Sequence, residues 1–184
     1  VSLPITVITP SLPARIAERS RAITSVHAQT LRPADHLVLV DHRKEGGHRP
    51  LNALMKAVET EWTQILCDDD ALMPEHFEKL WPLTTDADVV YSPPTTIGPN
   101  PWQGYLEPFN AGRLRDSSIV SHIALVRTEL IREVGGWDAG AGYDWNFWIK
   151  CLDAGARFAR CNEPTWIYDL EEGKWHESRT DLGR

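Results

Sequence analysis

Cysteine is scarce in this chain and offers no pairs: Cys67, Cys151 and Cys161 are three in number, far apart and without a CxxC arrangement. An odd, scattered set excludes a disulfide framework and a zinc site of the usual spacing, and reads as small core residues in a reducing compartment. Long apolar runs are missing too. Nothing approaches the roughly 18 apolar residues of a membrane span, and no basic segment leads into an apolar one near the first residue. A soluble, cytoplasmic protein with no stable membrane insertion is expected. Nor is there an excess of positive charge. Nineteen Lys and Arg against 26 Asp and Glu leave a net charge of -7, which argues against a broad nucleic-acid footprint, although a local basic groove is compatible with it. Internal repeats and low-complexity tails are also lacking.

What is present is an alternation of strand-like and helix-like segments over 184 residues, a length that suits one domain with a substantial core. "ITVIT" (5–9) is β-rich, and 15–29 places Ile16, Ile23 and Val26 at helical spacing. "HLVLVD" (36–41) is nearly continuous apolar, as expected of a strand covered by helices on both faces. A helical period through Leu51, Leu54, Met55 and Val58 follows, then the strand "WTQILC" (62–67). The order βαβαβ predicts an α/β fold with a central, mostly parallel sheet flanked by helices, and such sheets bind ligands beyond the carboxyl ends of their strands. Further along, a strand at 88–92 precedes a Pro- and Gly-rich stretch from Pro93 to Gly112, read as a functional or mobile loop. Order resumes with "SIVSHIALV" (118–126), helices near 128–134 and 143–154, each ended by glycine, and a short strand at 165–169.

The third strand runs into "CDDDALMP", three consecutive aspartates followed by a proline-started helix. Two unit charges about 4 Å apart repel by roughly 4 kcal/mol at an effective dielectric of about 20. Two readings are open. The triplet is a solvated turn that caps the next helix, or it holds a hard divalent cation that offsets the repulsion.

In order and spacing, "ITVITPSLPAR", "AITSVHAQTLRPADHLVLVD", "LNALMKAVETEWTQILCDDDALMP" and "LIREVGGWD" with "YDWNFWIKCLDAGARF" resemble the family 2 glycosyltransferases of GT-A fold. The resemblance covers nearly the whole chain, and it is the combination of "SVHAQTL" with "DDDALMP" that makes it specific. It implies a single GT-A domain, 1–184, with a nucleotide-sugar-binding half at 1–92 and an acceptor and catalytic-base half at 113–184. It also implies transfer from a nucleotide-sugar with inversion of the anomeric centre, aided by Mn²⁺ or Mg²⁺.

By the same resemblance Thr9, Pro10 and Ser11 line the base and ribose, with Leu12 where the family often has an aromatic residue. Asp41 matches the aspartate that accepts a hydrogen bond from a uracil-type base, which favours a UDP-sugar; His42 stands where a second acid is usual. Asp68, Asp69 and Asp70 match the DxD-like motif for metal and ribose, with Asp68 counted on both sides and no finer division among the three. Asp144 matches the general base of the family's "ED" pair, and Tyr143 replaces its glutamate neighbour. His176 resembles a late histidine that joins the metal or the diphosphate. His48 and Arg49 stand within sequence reach of the diphosphate. The other histidines, His122 among them, form no ligand spacing. Most of the eight tryptophans fall at expected core positions, with Trp102 expected at the surface.

The chemistry asks for these residue types independently. Cleaving a sugar–diphosphate bond gathers negative charge on the leaving phosphate, which a metal held by aspartates stabilises. The attacking hydroxyl becomes acidic as its bond forms, so a carboxylate within hydrogen-bond reach serves as general base. The rival function is a nucleotide-sugar-binding module without catalysis. An aspartate-nucleophile phosphoryl transferase fits poorly, because its acids would follow the first strand. The acceptor, whether a glycan, a lipid-linked sugar, a protein or a modified nucleic acid, is not written in these motifs.

Overall fold

The first strand, β1 (Leu3–Ser11), buries five residues in a row from Ile5 to Thr9, so it belongs inside a sheet with both faces covered. The structure, a computed structural model, describes residues 2–44, 46–98 and 106–169. On either side of β1 lie β2 (Pro33–Val40) and β3 (Trp62–Ile65), both parallel to it, with Val7 level with His36 and Gln64. The helices α1 (Ile16–His27) and α2 (His48–Met55) make the two crossovers. This is the βαβαβ unit the periodicity predicts.

Beyond β3 the sheet changes sense. The strand β7 (Ala124–Arg127) runs antiparallel to β3 and to β5 (Val89–Tyr91), and β8 (Phe158–Arg160) closes the row parallel to β5. The order is β2-β1-β3-β7-β5-β8. A second sheet, in the order β4-β9-β6, joins β4 (Ala71–Leu72), β9 (Trp166–Asp169) and β6 (Pro94–Ile97). The remaining helices are α3 (His76–Leu80), α4 (Ala111–Asp116), α5 (Thr128–Glu133) and α6 (Tyr143–Asp153), with a 3-10 turn at Trp81–Thr85.

Alternation along β1 divides the core. Ile8 faces a cluster with Leu51, Leu54, Val126, Phe147 and Trp148, while Ile5 and Val7 face one with Ala22, Val26, Phe77, Leu80 and Trp166.

Three differences from the sequence reading have physical causes. β2 reads as covered on both faces, yet it is an edge strand with Val38 36% exposed, because its apolar run packs on one side and has no outer neighbour among the described residues. The stretch 93–112 is not one loop: it holds β6 and the start of α4, and Pro94 is tolerated because it opens a strand at the rim of the small sheet. Ile16, read as part of an apolar stripe, is 66% exposed because it opens α1 ahead of the buried Ala22 and Val26.

Candidate active site

The two motifs that together carry the resemblance are hydrogen-bonded to each other. From α1 and the turn after it, Ser25 Oγ accepts from Leu72 N at 3.1 Å and Gln29 Nε2 donates to Met73 O at 2.8 Å. The backbone of Thr30 donates to Pro74 O at 2.9 Å. "SVHAQTL" is therefore the clamp that holds "DDDALMP" at the carboxyl end of β3. The bonds to Leu72 N and Pro74 O pair backbone groups of the short, irregular turn, and Met73 O gains a second donor beside His76 N.

The three aspartates do not converge on one point. Asp68, buried, accepts from Leu12 N at 3.2 Å and from Arg15 Nη1 at 2.8 Å; the same Nη1 lies 2.8 Å from Asp69 Oδ2. Arg15 thus bridges two of the carboxylates and offsets their repulsion. Arg21 adds a second tie, donating to the Asp69 carbonyl and, at 2.6 Å, to Asp169 at the end of β9. Asp70 turns the other way, with Oδ2 2.7 Å from His122 Nε2. Burial pushes the Asp70 carboxyl up to about 6, against the downward pull of His122.

On that other side lies a cavity lined by Leu51, Ile65, Cys67, His122, Trp137, Tyr143, Asp144 and Trp148. Asp144 reaches it from the first turn of α6, which starts after Gly142 in a left-handed conformation, φ 68°. The helix is pinned by Phe147 stacked on Trp137 at 4.5 Å, by buried Trp148 and Cys151, and by Lys150 Nζ donating to Gly136 O at 2.7 Å. The Asp144 carboxylate makes no hydrogen bond among the described residues. Tyr143 packs on the backbone of Gly47, where a Cβ would meet its hydroxyl at 2.3 Å. Burial raises its phenol above the ordinary value, so it stays protonated.

Opposite, the segments after β1 and β2 are joined by Asp41 N donating to Ser11 O at 2.7 Å. Asp41 is buried and its Oδ1 accepts from Arg43 N at 2.9 Å. Ser11 Oγ accepts from Arg19 at 3.0 Å, Pro10 is half-buried, and the fully buried Thr9 meets His36 Nε2 at 2.9 Å. Arg49 is exposed on the first turn of α2. His176, Trp102 and Tyr105 lie outside the described residues.

Asp41, Asp68, Asp69, Asp70 and Asp144 therefore gather at one end of the sheet, from three separate parts of the chain. Arg15 and His122 join them without a sequence signal as strong as the aspartates. Arg15 precedes α1 and is one arginine among several there, followed by Arg19 and Arg21, and His122 is 52 residues from Asp70. A divalent ion fits the chemistry of this set: Cys67 Sγ, an Asp70 oxygen and a His122 nitrogen lie within 4.8 Å of one another. Burial pushes the Cys67 thiol up to about 11, so without an ion it is neutral.

No family model and no curated protein matches the chain. Solved structures do. S. aureus TarS 1–349 in complex with UDP-GlcNAc superposes with a TM-score of 0.78 at 15% identity, covering 96% of this chain and 61% of that one. The mannosyltransferase PcManGT from Pyrobaculum calidifontis, in complex with GDP-Man and Mn²⁺, superposes with a TM-score of 0.75 at 12% identity, covering 96% of this chain and 60% of that one. The chain has the GT-A fold. It spans about three fifths of the length of both GT-A neighbours. At these identities the likeness is one of architecture, and the GT-A order of parallel strands is what sets the aspartates at a common edge.

Proposed function

We propose that the chain is a metal-dependent inverting glycosyltransferase that moves a sugar from a nucleoside-diphosphate donor, with UDP favoured, to an acceptor hydroxyl. The observation that carries this is the meeting of Asp41, the Asp68–Asp70 triplet and Asp144 at the carboxyl end of the β1–β3 sheet. Solved neighbours of the same fold hold UDP-GlcNAc or GDP-Man with Mn²⁺. One domain divides the work: residues 1–92 bind the donor, and 113–184 supply the base and the acceptor contacts.

In this reading Asp41 accepts a hydrogen bond from the base, and Thr9, Pro10 and Ser11 line the base and ribose. Arg49 reaches the diphosphate. Asp68 serves the ribose and, with Asp69, Asp70 and His176, the metal. A bound Mn²⁺ or Mg²⁺ supplies positive charge where the leaving diphosphate gathers negative charge. Arg15, already bridging Asp68 and Asp69, holds those carboxylates in place until the donor arrives. Asp144 removes the proton from the acceptor hydroxyl; its carboxylate, uncommitted among the described residues and facing the cavity beside Cys67 and His122, has the lone pairs that step needs.

A binding module without catalysis is the second reading. It is favoured by Tyr143, half-buried and protonated where the family has a second carboxylate. A thermal-shift panel of nucleotide-sugars with and without Mn²⁺, followed by an assay of nucleoside-diphosphate release, separates the two. Stabilisation by a UDP-sugar with Mn²⁺ and release of UDP are expected. Stabilisation without release supports the module, and no response to any nucleotide-sugar contradicts both.

A further inference from the structure

Cys67 stands directly before the aspartate triplet and is absorbed by none of the roles above. Its neighbour Asp68 turns to Leu12 and Arg15, whereas Cys67 lines the cavity on the other side with His122 and Asp144. The turn is closed by Asp70 N donating to Cys67 O at 3.2 Å, which returns the Asp70 carboxylate to the side of Cys67. Two distinct carboxylate environments result from three consecutive residues.

We infer that Cys67, Asp70 and His122 form a mixed thiolate, carboxylate and imidazole site that selects a borderline ion of the zinc class over the hard ions Mn²⁺ and Mg²⁺. The three donor atoms lie within 4.8 Å of one another. Bond lengths of about 2.0–2.3 Å to N, O and S put the ligands of a tetrahedral zinc roughly 3.4–3.6 Å apart. Side-chain rotations of an ångström close that gap. The imidazole is held for the purpose: its ring stands edge-on to Trp166 at 5.3 Å and to Tyr168 at 5.6 Å. Ligands fixed by their surroundings lose little freedom on binding.

The donor set decides the class of ion. A thiolate is a soft ligand that favours zinc and its neighbours, while Mn²⁺ and Mg²⁺ prefer carboxylate, carbonyl and water oxygens. Three protein ligands with the fourth position open to a cavity match zinc sites that act on a bound group, whereas structural sites are closed by four. Here Cys67 and His122 line the same cavity as Asp144. The spacing 67, 70 and 122 escapes any sequence pattern because the histidine comes from the segment entering β7, which the sheet brings beside β3.

This site deepens the transferase reading and rests on it for what the ion serves, so the test separates the two. The full chain, stripped of metal with a chelator, is titrated with Co²⁺ as a spectroscopic stand-in for zinc. A thiolate-to-cobalt charge-transfer absorption saturating at about one equivalent is expected. Zn²⁺ should abolish it at stoichiometric concentration, and a hundredfold excess of Mg²⁺ or Mn²⁺ should not. Cys67→Ser should remove the band and His122→Gln should weaken cobalt binding at least tenfold, each with the melting temperature of the metal-free chain nearly unchanged. No band, or a band that survives Cys67→Ser, overturns the site. Mn²⁺-dependent UDP binding in a chain that shows no such band overturns the site and leaves the transferase reading standing. A cobalt band lost in Cys67→Ser, in a chain that binds no nucleotide, keeps the site and removes the transferase reading.

Discussion

Asp144→Asn retains the shape of the side chain and removes its basicity, so it isolates the proton-transfer role from donor binding. A fall of about 10²- to 10⁴-fold in kcat is expected, with donor affinity measured by calorimetry nearly unchanged. A large loss of donor affinity would show that Asp144 holds the donor instead. His76 provides a residue-scale test of the fold. It is fully buried between Gln64 Oε1 at 3.0 Å and Thr165 Oγ1 at 2.7 Å, and burial holds its imidazole down at about 3. The unfolded chain takes up this proton below about pH 6.5, while the folded chain stays neutral to about pH 3. Stability from this group is therefore complete at neutral pH and is lost as pH falls, by about 1.4 kcal/mol per pH unit across that window. Urea unfolding at pH 7 and pH 5 should show a shallower loss in His76→Gln than in the parent chain; equal losses would contradict the buried neutral histidine. At this scale the aspartates were legible in the sequence because carboxylates after an apolar strand are conspicuous. Arg15 and His122 were not, since their importance lies in contacts to residues more than 50 positions away.

The elements explain why the two signature segments occur together. Gln29, buried at the end of the α1 segment, donates through Nε2 to Ser25 O and Met73 O and accepts from Phe77 N at 3.3 Å. Gln29→Ala removes the acceptor of Phe77 N and leaves Met73 O with His76 N as its remaining donor, and should cost about 1–3 kcal/mol in urea unfolding. Because the same bonds hold the turn after Asp70, nucleotide affinity should weaken in parallel. Loss of stability with nucleotide affinity intact would separate the clamp from the site. The α2 helix is joined to the Gly136 turn in a comparable way. Asn52 exchanges two hydrogen bonds with Trp137, and Gly136, at φ 69°, has Asn52 Oδ1 2.2 Å from where a Cβ would stand. Long periodic segments such as α1, α2 and α6 could be read from spacing alone. Short pieces such as β4 and β8, of two and three residues, could not, because a run that short has no period and exists only through its partners. The edge position of β2 was hidden for a related reason: an apolar run reports that a strand is in a sheet, not where in the sheet it lies.

Across the whole molecule, a parallel half built from β1, β2 and β3 meets a mixed half through the antiparallel pairing of β3 with β7. The aspartate triplet lies at that seam, with Arg15 and the segments after β1 and β2 on one flank and the Asp144 cavity on the other. The fold class followed from the order of elements. The separation of the triplet into an Arg15-bound pair and a His122-bound third member came only from how the two halves meet. That arrangement makes metal-dependent nucleotide binding the central claim, and calorimetry of UDP against the full chain, in Mn²⁺ and then in chelator, tests it most directly. Binding at least tenfold tighter with Mn²⁺, and loss of that difference in Asp69→Asn, is the expected result. Equal affinity in both conditions would contradict it.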